Sequence, residues 1–204
     1  MLPRTLRDGT AVVLRPQTRE DRPHVADFFA RLSSRSRYLR FFTGMPPHLP
    51  SKMLAALSDV DGDRHVGLLA LDGDRVVGAA RYLRRADRPA VADVAFTVAD
   101  ELQCRGLGRM LLRELQAHAA RRGVTRFVFD TLAVNEASLA VARSLGARLR
   151  HDGTTVEGVI YIESGAETPS RPSARATVRR AVTHRPMRND SSCRGSAPTT
   201  RQSR

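Results

Sequence analysis

The chain has 204 residues and 41% hydrophobic content, which sets a prior of one domain and is enough to bury a core. Its formal net charge is +13, and Lys52 is its only lysine, so nearly all of the basic excess is arginine. The first residues lack an apolar signal core and no run is long and apolar enough to span a bilayer, so no membrane partner and a cytoplasmic location are expected. Cys104 and Cys193 lie far apart and no histidine pair has ligand spacing, which argues against a disulfide framework and against a metal.

In chain order, Asp8-Gly9 is a turn signal and "TAVVLRP" after it reads as a strand stopped by Pro16. A helix begins near Asp21, the better N-cap because Pro23 is tolerated only in a first turn, and Val25, Phe28, Phe29 and Leu32 share one face. "SSRSRYLRFF" continues that helical pattern, and a further short helix starts near Ser51. "HVGLLAL" and "RVVGAARYL" form a hairpin around Asp72-Gly73-Asp74, followed by the strand "AVADVAFTVA". A helix from Leu107 to about Arg122 stops at Gly123, "TRFVFDTLAV" is a buried strand, "NEASLAVARSLG" a short helix, and "ARLRHDGTTVEGVIYIE" a closing hairpin.

This order of elements mixes antiparallel hairpins with one βαβ crossover, predicting an α/β fold with a central mixed sheet of about seven strands flanked by helices. The ordered domain is expected over residues 1–164. Residues 165–204 carry nine arginines against Glu167 and Asp190 and few large apolar residues, the composition of a disordered basic tail.

"ELQCRGLGRMLLREL" opens a helix with two glycines, a pattern that lets backbone N–H groups approach an anion. A P-loop needs Gly-Lys-Ser/Thr, but Gly108 is followed by Arg109-Met110. A dinucleotide fingerprint needs a third glycine where this chain has Leu111, and too few ordered residues follow Asp130 to complete a doubly wound sheet. A strand, then Gln103-Cys104-Arg105-Gly106-Leu107-Gly108, a helix, a strand and an asparagine opening a short helix fit a third device.

That arrangement closely resembles the acyl-CoA site of the GNAT superfamily of N-acetyltransferases, over about residues 6 to 163. "SSRSRYLRFF", "LSDVDGDRHVGLLAL", "GAARYLR" and "ADVAFTVADELQCRGLG" are similar to the acetyltransferase module of bacterial protein-lysine acetyltransferases. The resemblance implies that two parallel strands splay so that Phe96, Thr97 and Val98 expose main-chain groups to the pantetheine arm of acetyl-CoA. It implies that Gln103, Arg105, Gly106, Leu107, Gly108 and Arg109 wrap the pyrophosphate, and that Asn135, with Ser138 nearby, holds the cofactor near its sulfur end.

Acetyl transfer to an amine needs a neutral nucleophile, and a lysine amine with an ordinary pKa of about 10.4 is mostly ammonium at neutral pH. In "ADVAF", Asp93 stands where the related enzymes carry a glutamate base, one methylene longer, so a water relay is favoured. Ala142 stands where many relatives place a tyrosine acid, leaving Tyr82 and Tyr161 as candidates by residue type alone. His118 falls on a core stripe and His65 at the start of a strand, where packing outweighs chemistry. The expected activity is N-acetyl transfer from acetyl-CoA to a protein lysine. The alternatives are a small-molecule amine as acceptor, or an acyl-CoA-binding module whose tail tethers it weakly to a polyanion.

Overall fold

The computed structural model describes residues 1–163, which fall in the first of the two units into which the chain divides, Met1–Thr168. The tail expected over residues 165–204 lies outside the described residues. β1 (Leu2–Thr5) and β2 (Ala11–Pro16) form an antiparallel hairpin, its turn fastened by Asp8 Oδ1, which accepts from the Thr10 N–H at 3.1 Å. β1 has no counterpart in the sequence-based expectation. It is a sheet edge, where Pro3 can sit without breaking a ladder.

A 3-10 turn over Arg19–Asp21 leads into α1 (Arg22–Arg31), with Pro23 in its first turn. Asp21 occupies the expected N-cap but turns its carboxylate to Arg15, at 2.6 and 2.7 Å, and to the Thr18 N–H at 2.8 Å. The helix expected to continue through "SSRSRYLRFF" is broken: Leu32 is extended, and Ser33 caps a separate helix, α2 (Ser34–Phe41), by accepting from the Ser36 N–H. The break is held from a distance, because Ser33 also donates its N–H and Oγ–H to Asp100 at 2.9 and 2.7 Å. α3 (Ser51–Ser58) follows.

β3 (His65–Asp72) and β4 (Arg75–Arg84) form the expected hairpin, and β5 (Val91–Val98) pairs with β4. α4 (Leu107–Ala120), β6 (Arg126–Leu132), α5 (Glu136–Ser144), β7 (Arg148–Asp152) and β8 (Thr155–Tyr161) complete the domain. The described sheet has eight strands in the order β1-β2-β3-β4-β5-β6-β8-β7, and only β5 and β6 run parallel.

Helices cover both faces. On one, Gly78 meets Leu107 and Leu111 of α4, and Tyr82, fully buried, lies against His118 and Phe127. The strand pleat turns Ala79 and Arg81 to the other face, where Val25 and Phe29 of α1 and Leu57 of α3 border the same hollow. Each fully buried leucine such as Leu111 contributes roughly 1.5–3 kcal/mol of transfer free energy.

Candidate active site

The parallel ladder between β5 and β6 consists of Val91–Arg126, Ala92–Phe127 and Asp93–Val128, and there it stops. Beyond it β5 stays paired with β4 as far as Val98, and β6 with β8 as far as Leu132. The two strands therefore part after Asp93, and their facing edges are left without ladder partners. A cleft of about 680 Å³ opens at this fork, within the range of small-molecule and cofactor sites.

α4 points its N-terminus into the cleft. Gly106 is its N-cap at φ +95, a conformation that costs a residue with a Cβ about 1–2 kcal/mol, and it offers no side-chain cap to the first-turn N–H groups. These donors and the positive end of the helix dipole are suited to an anion. Arg109 adds a guanidinium that lines the cleft while its Nε is buried without a partner. The chemistry of this donor set fits a diphosphate. Gly108 serves a different contact: a Cβ there would stand 2.7 Å from the Phe96 ring, so α4 approaches β5 only because the position is glycine.

Of the residues expected at the site, Asp93, Phe96, Thr97, Val98, Gln103, Gly106, Leu107, Gly108, Arg109, Asn135 and Ser138 all border the cleft. Arg105 does not: its guanidinium is 2.5 Å from Asp8, and its carbonyl accepts from the Arg7 N–H at 3.3 Å. Leu107 is 1% exposed and mainly a core residue. Gln103 donates to Ser36 Oγ at 3.1 Å and to the Val98 carbonyl at 3.3 Å, so its amide braces the loop. Asn135 caps α5, its Oδ1 accepting from the Ser138 N–H at 3.1 Å. Sequence reasoning missed Arg7 and Arg40, which also line the cleft, because only tertiary packing brings them there.

Asp93 is half exposed, and both of its oxygens accept from Arg85, Oδ2 from Nε at 3.0 Å and Oδ1 from the terminal nitrogen at 2.8 Å. The hydrogen bond to this carboxylate raises the Arg85 pKa. An ionised carboxylate has about four lone-pair sites, so Asp93 can hold Arg85 and still accept another proton donor.

None of the chain's three tyrosines borders the cleft. Tyr82 is fully buried and bonds His118 Nδ1 at 3.0 Å, and Tyr161 lies under Arg148 on β8, so neither is placed to act as an acid. Burial, then Arg122 and Arg121, lowers the His118 pKa, which favours a neutral packed imidazole. Burial, then Arg81, likewise pushes the His65 pKa down, which favours a neutral ring, and Nδ1 meets the Asp59 carbonyl at 2.8 Å. Among the described residues there is no cluster that could hold a metal ion and no helix long and apolar enough to cross a membrane.

The model of the acetyltransferase (GNAT) family matches residues 27–147. An acetyltransferase of Pseudomonas aeruginosa is 33% identical over 146 residues, covering 70% of this chain and 77% of that protein. The acetyltransferase Pat of Mycolicibacterium smegmatis is 32% identical over 148 residues, covering 72% of this chain but only 44% of its own length. The crystal structure of the GNAT domain of S. lividans PAT superposes with a TM-score of 0.72 at 31% identity, covering 78% of this chain and 95% of that one. The chain belongs to the GNAT family of acetyltransferases, acetyl-CoA-dependent acyltransferases, and its domain is of the Pat-like kind.

Proposed function

We propose that the protein moves the acetyl group of acetyl-CoA to an amine, the ε-amine of a protein lysine, by direct attack on the thioester. The observation that carries the reading is the fork itself: β5 and β6 part directly after Asp93, over the uncapped N-terminus of α4. A single cleft borders a carboxylate at the apex of the fork, an open strand edge along β5 and an anion site at α4.

In this reading the first-turn N–H groups of α4 and the Arg109 guanidinium hold the diphosphate of the donor. The free edge of β5 at Phe96, Thr97 and Val98 offers main-chain groups to its extended arm. Asn135 and Ser138 line the same cleft from α5, with the Asn135 side-chain NH2 still available beyond its capping bond. Asp93, its carboxylate steadied by Arg85, takes the proton from the incoming ammonium, directly or through one water. The thiol leaves as a thiolate, whose ordinary pKa of about 8.5 makes a protein acid helpful but dispensable.

Two measurements test this. Acetyl-CoA at about 100 times its dissociation constant contributes roughly 2.7 kcal/mol, which raises the melting temperature by several degrees, and NAD or ATP does far less. Thiol release from acetyl-CoA then rises on addition of a lysine-bearing protein. No melting shift sinks the donor assignment, and no thiol release with any amine sinks the transfer reaction.

A further inference from the structure

Two guanidinium groups, those of Arg81 on the Asp93 face of the sheet and of Arg40 beside it, have no carboxylate to balance them among the described residues. The β4–β5 register sets Leu83 opposite Asp93 and Arg81 opposite Ala95. Arg81 is therefore the diagonal neighbour of Asp93 on the same face of the sheet, at roughly 7–8 Å. Its terminal nitrogen donates to the Ala56 carbonyl at 2.6 Å. Arg40, from α2, borders the main cleft together with Asp93 and also borders, with Arg81, a hollow of about 20 Å³ over Ala79, Ala80 and Ala95.

The only partner Arg40 has among the described residues is the Phe41 ring, 5.2 Å from its guanidinium carbon. Burial, then the neighbouring Arg81, pulls the Arg40 pKa down to about 10, and burial alone lowers that of Arg81. Both side chains are partly buried, and two like charges brought together there are costly unless an anion joins them. Elsewhere the same chain does supply one, as Asp21 does for Arg15 and Asp93 for Arg85.

We propose that Arg40 and Arg81 are the anion-recognition half of the acceptor site, so that the amine this enzyme acetylates carries a carboxylate beside its nucleophilic nitrogen. This rests on the acetyl-transfer reading of the cleft. The pair shares its sheet face with Asp93 and is walled by α1 and α3, whereas α4 and its anion site cover the opposite face. That placement assigns the pair to the acceptor rather than to the diphosphate of the donor. The hollow has room for about one water or one carboxylate oxygen, so it takes the tip of a headgroup facing in from the cleft and not a chain. The carboxylate comes either from an acidic residue flanking a protein lysine or from a small amino acid.

Matched acceptors distinguish these sources: lysine peptides flanked by glutamate or by glutamine, and 4-aminobutyrate against its amide, each with acetyl-CoA. In the pair that represents the true source, the acid form has a KM lower by roughly 10- to 100-fold, the effect of a charge-assisted bidentate contact. The ratio collapses toward unity in Arg40→Gln and in Arg81→Gln. Ratios near unity in both pairs for the wild type, or a ratio that survives both substitutions, overturn the proposal. So does a preference for succinyl-CoA over acetyl-CoA that both substitutions abolish, since that places the carboxylate on the donor.

Calorimetry with the N-acetylated forms of the same compounds, added to CoA-loaded protein, separates this proposal from the catalytic reading. Tighter binding of the acid product without turnover of any amine keeps the subsite and removes the enzyme, while turnover without acid preference does the reverse. Melting supplies an independent check. Removing an uncompensated cation with Arg40→Gln raises the melting temperature of the unliganded protein, and a fall would make Arg40 a structural residue and overturn the assignment.

Discussion

Ser36 donates its hydroxyl to Asp100 Oδ1 at 2.6 Å, joining the first turn of α2 to the loop that leads to Gly106. Asp100 also takes the N–H and hydroxyl of Ser33, and Gln103 donates to Ser36 from the other side. The loop before Gly106 and the helix that carries Arg40 are thereby one mechanical piece. Asp100→Ala strands three donors and is expected to cost about 1–3 kcal/mol, with acetyl-CoA affinity falling alongside. Melting curves with and without acetyl-CoA measure both; affinity unchanged at reduced stability would mean the loop keeps its shape without α2.

The two glycines of the loop separate by their neighbours. Gly106→Ala forces a side chain into φ +95 but meets nothing closer than Arg7 Nε at 3.5 Å, so it costs about 1–2 kcal/mol and chiefly weakens acetyl-CoA. Gly108→Ala drives a Cβ to 2.7 Å from the Phe96 ring and is expected to lose stability and binding together. Adding Phe96→Leu should recover part of the stability in the second case and none in the first. Thermal melts of the four proteins decide it.

Asp93→Asn keeps size and removes the basic site, so acetyl-CoA binds as before while turnover falls by roughly 10²–10⁴. Asp93→Glu restores the reach of the longer carboxylate and keeps or raises the rate. Steady-state rates against pH, with a protein lysine and a small amine in parallel, are the measurement. Equal rates in all three proteins would leave proton removal to solvent.

Two carboxylates make stability depend on acid. The Arg15 hydrogen bond, opposed by burial and assisted by the Thr18 N–H, holds the Asp21 pKa below its ordinary value. At Asp100 burial pushes upward, but the bonds from Ser36 and Ser33 outweigh it and the net shift is again downward. A depressed folded pKa gives stability that is complete above the unfolded value of about 3.9 and is lost as pH falls through the folded pKa. Below about pH 4 the melting temperature should therefore fall more steeply for wild type than for Asp21→Asn. That variant also starts lower, by about 1.5–3 kcal/mol. Parallel slopes would show that Asp21 does not drive the acid limb.

Much of the fold follows from local signals. Pro23 in a first turn, Gly123 and Gly146 after helices, and the Asp-Gly turns of the hairpins each act through their own backbone, so a reader of the chain can place them. The α1–α2 break could not be placed that way, because Phe29 and Leu32 keep helical spacing and the cause is Asp100, far along the chain. The short edge strand β1 is set by pairing with β2 rather than by any pattern within "LPRT". At the site, Gly106, Gly108 and Asn135 were legible as a motif, but the motif did not separate anion binding from the Phe96 contact or from capping of α5. Arg40 and Arg81 carry no signal until helix and strand are packed together.

The fork also divides the molecule along a seam. Three rungs of parallel ladder, extended below by the Thr125 and Arg126 N–H bonds to the Ala90 carbonyl, link β1–β5 to β6–β8, so the described sheet behaves as two panels sharing a short hinge. A bound extended arm would add rungs to β5 and act as a third strip of fabric between the panels. Local opening is cheapest where buried pairing is sparsest. In the unliganded protein the panels should breathe against each other, with exchange of backbone amides along Val94–Val98 and Phe129–Leu132 preceding global unfolding wherever those amides face the gap. Saturating acetyl-CoA should slow it most on the β5 side, turning two cooperative units into one.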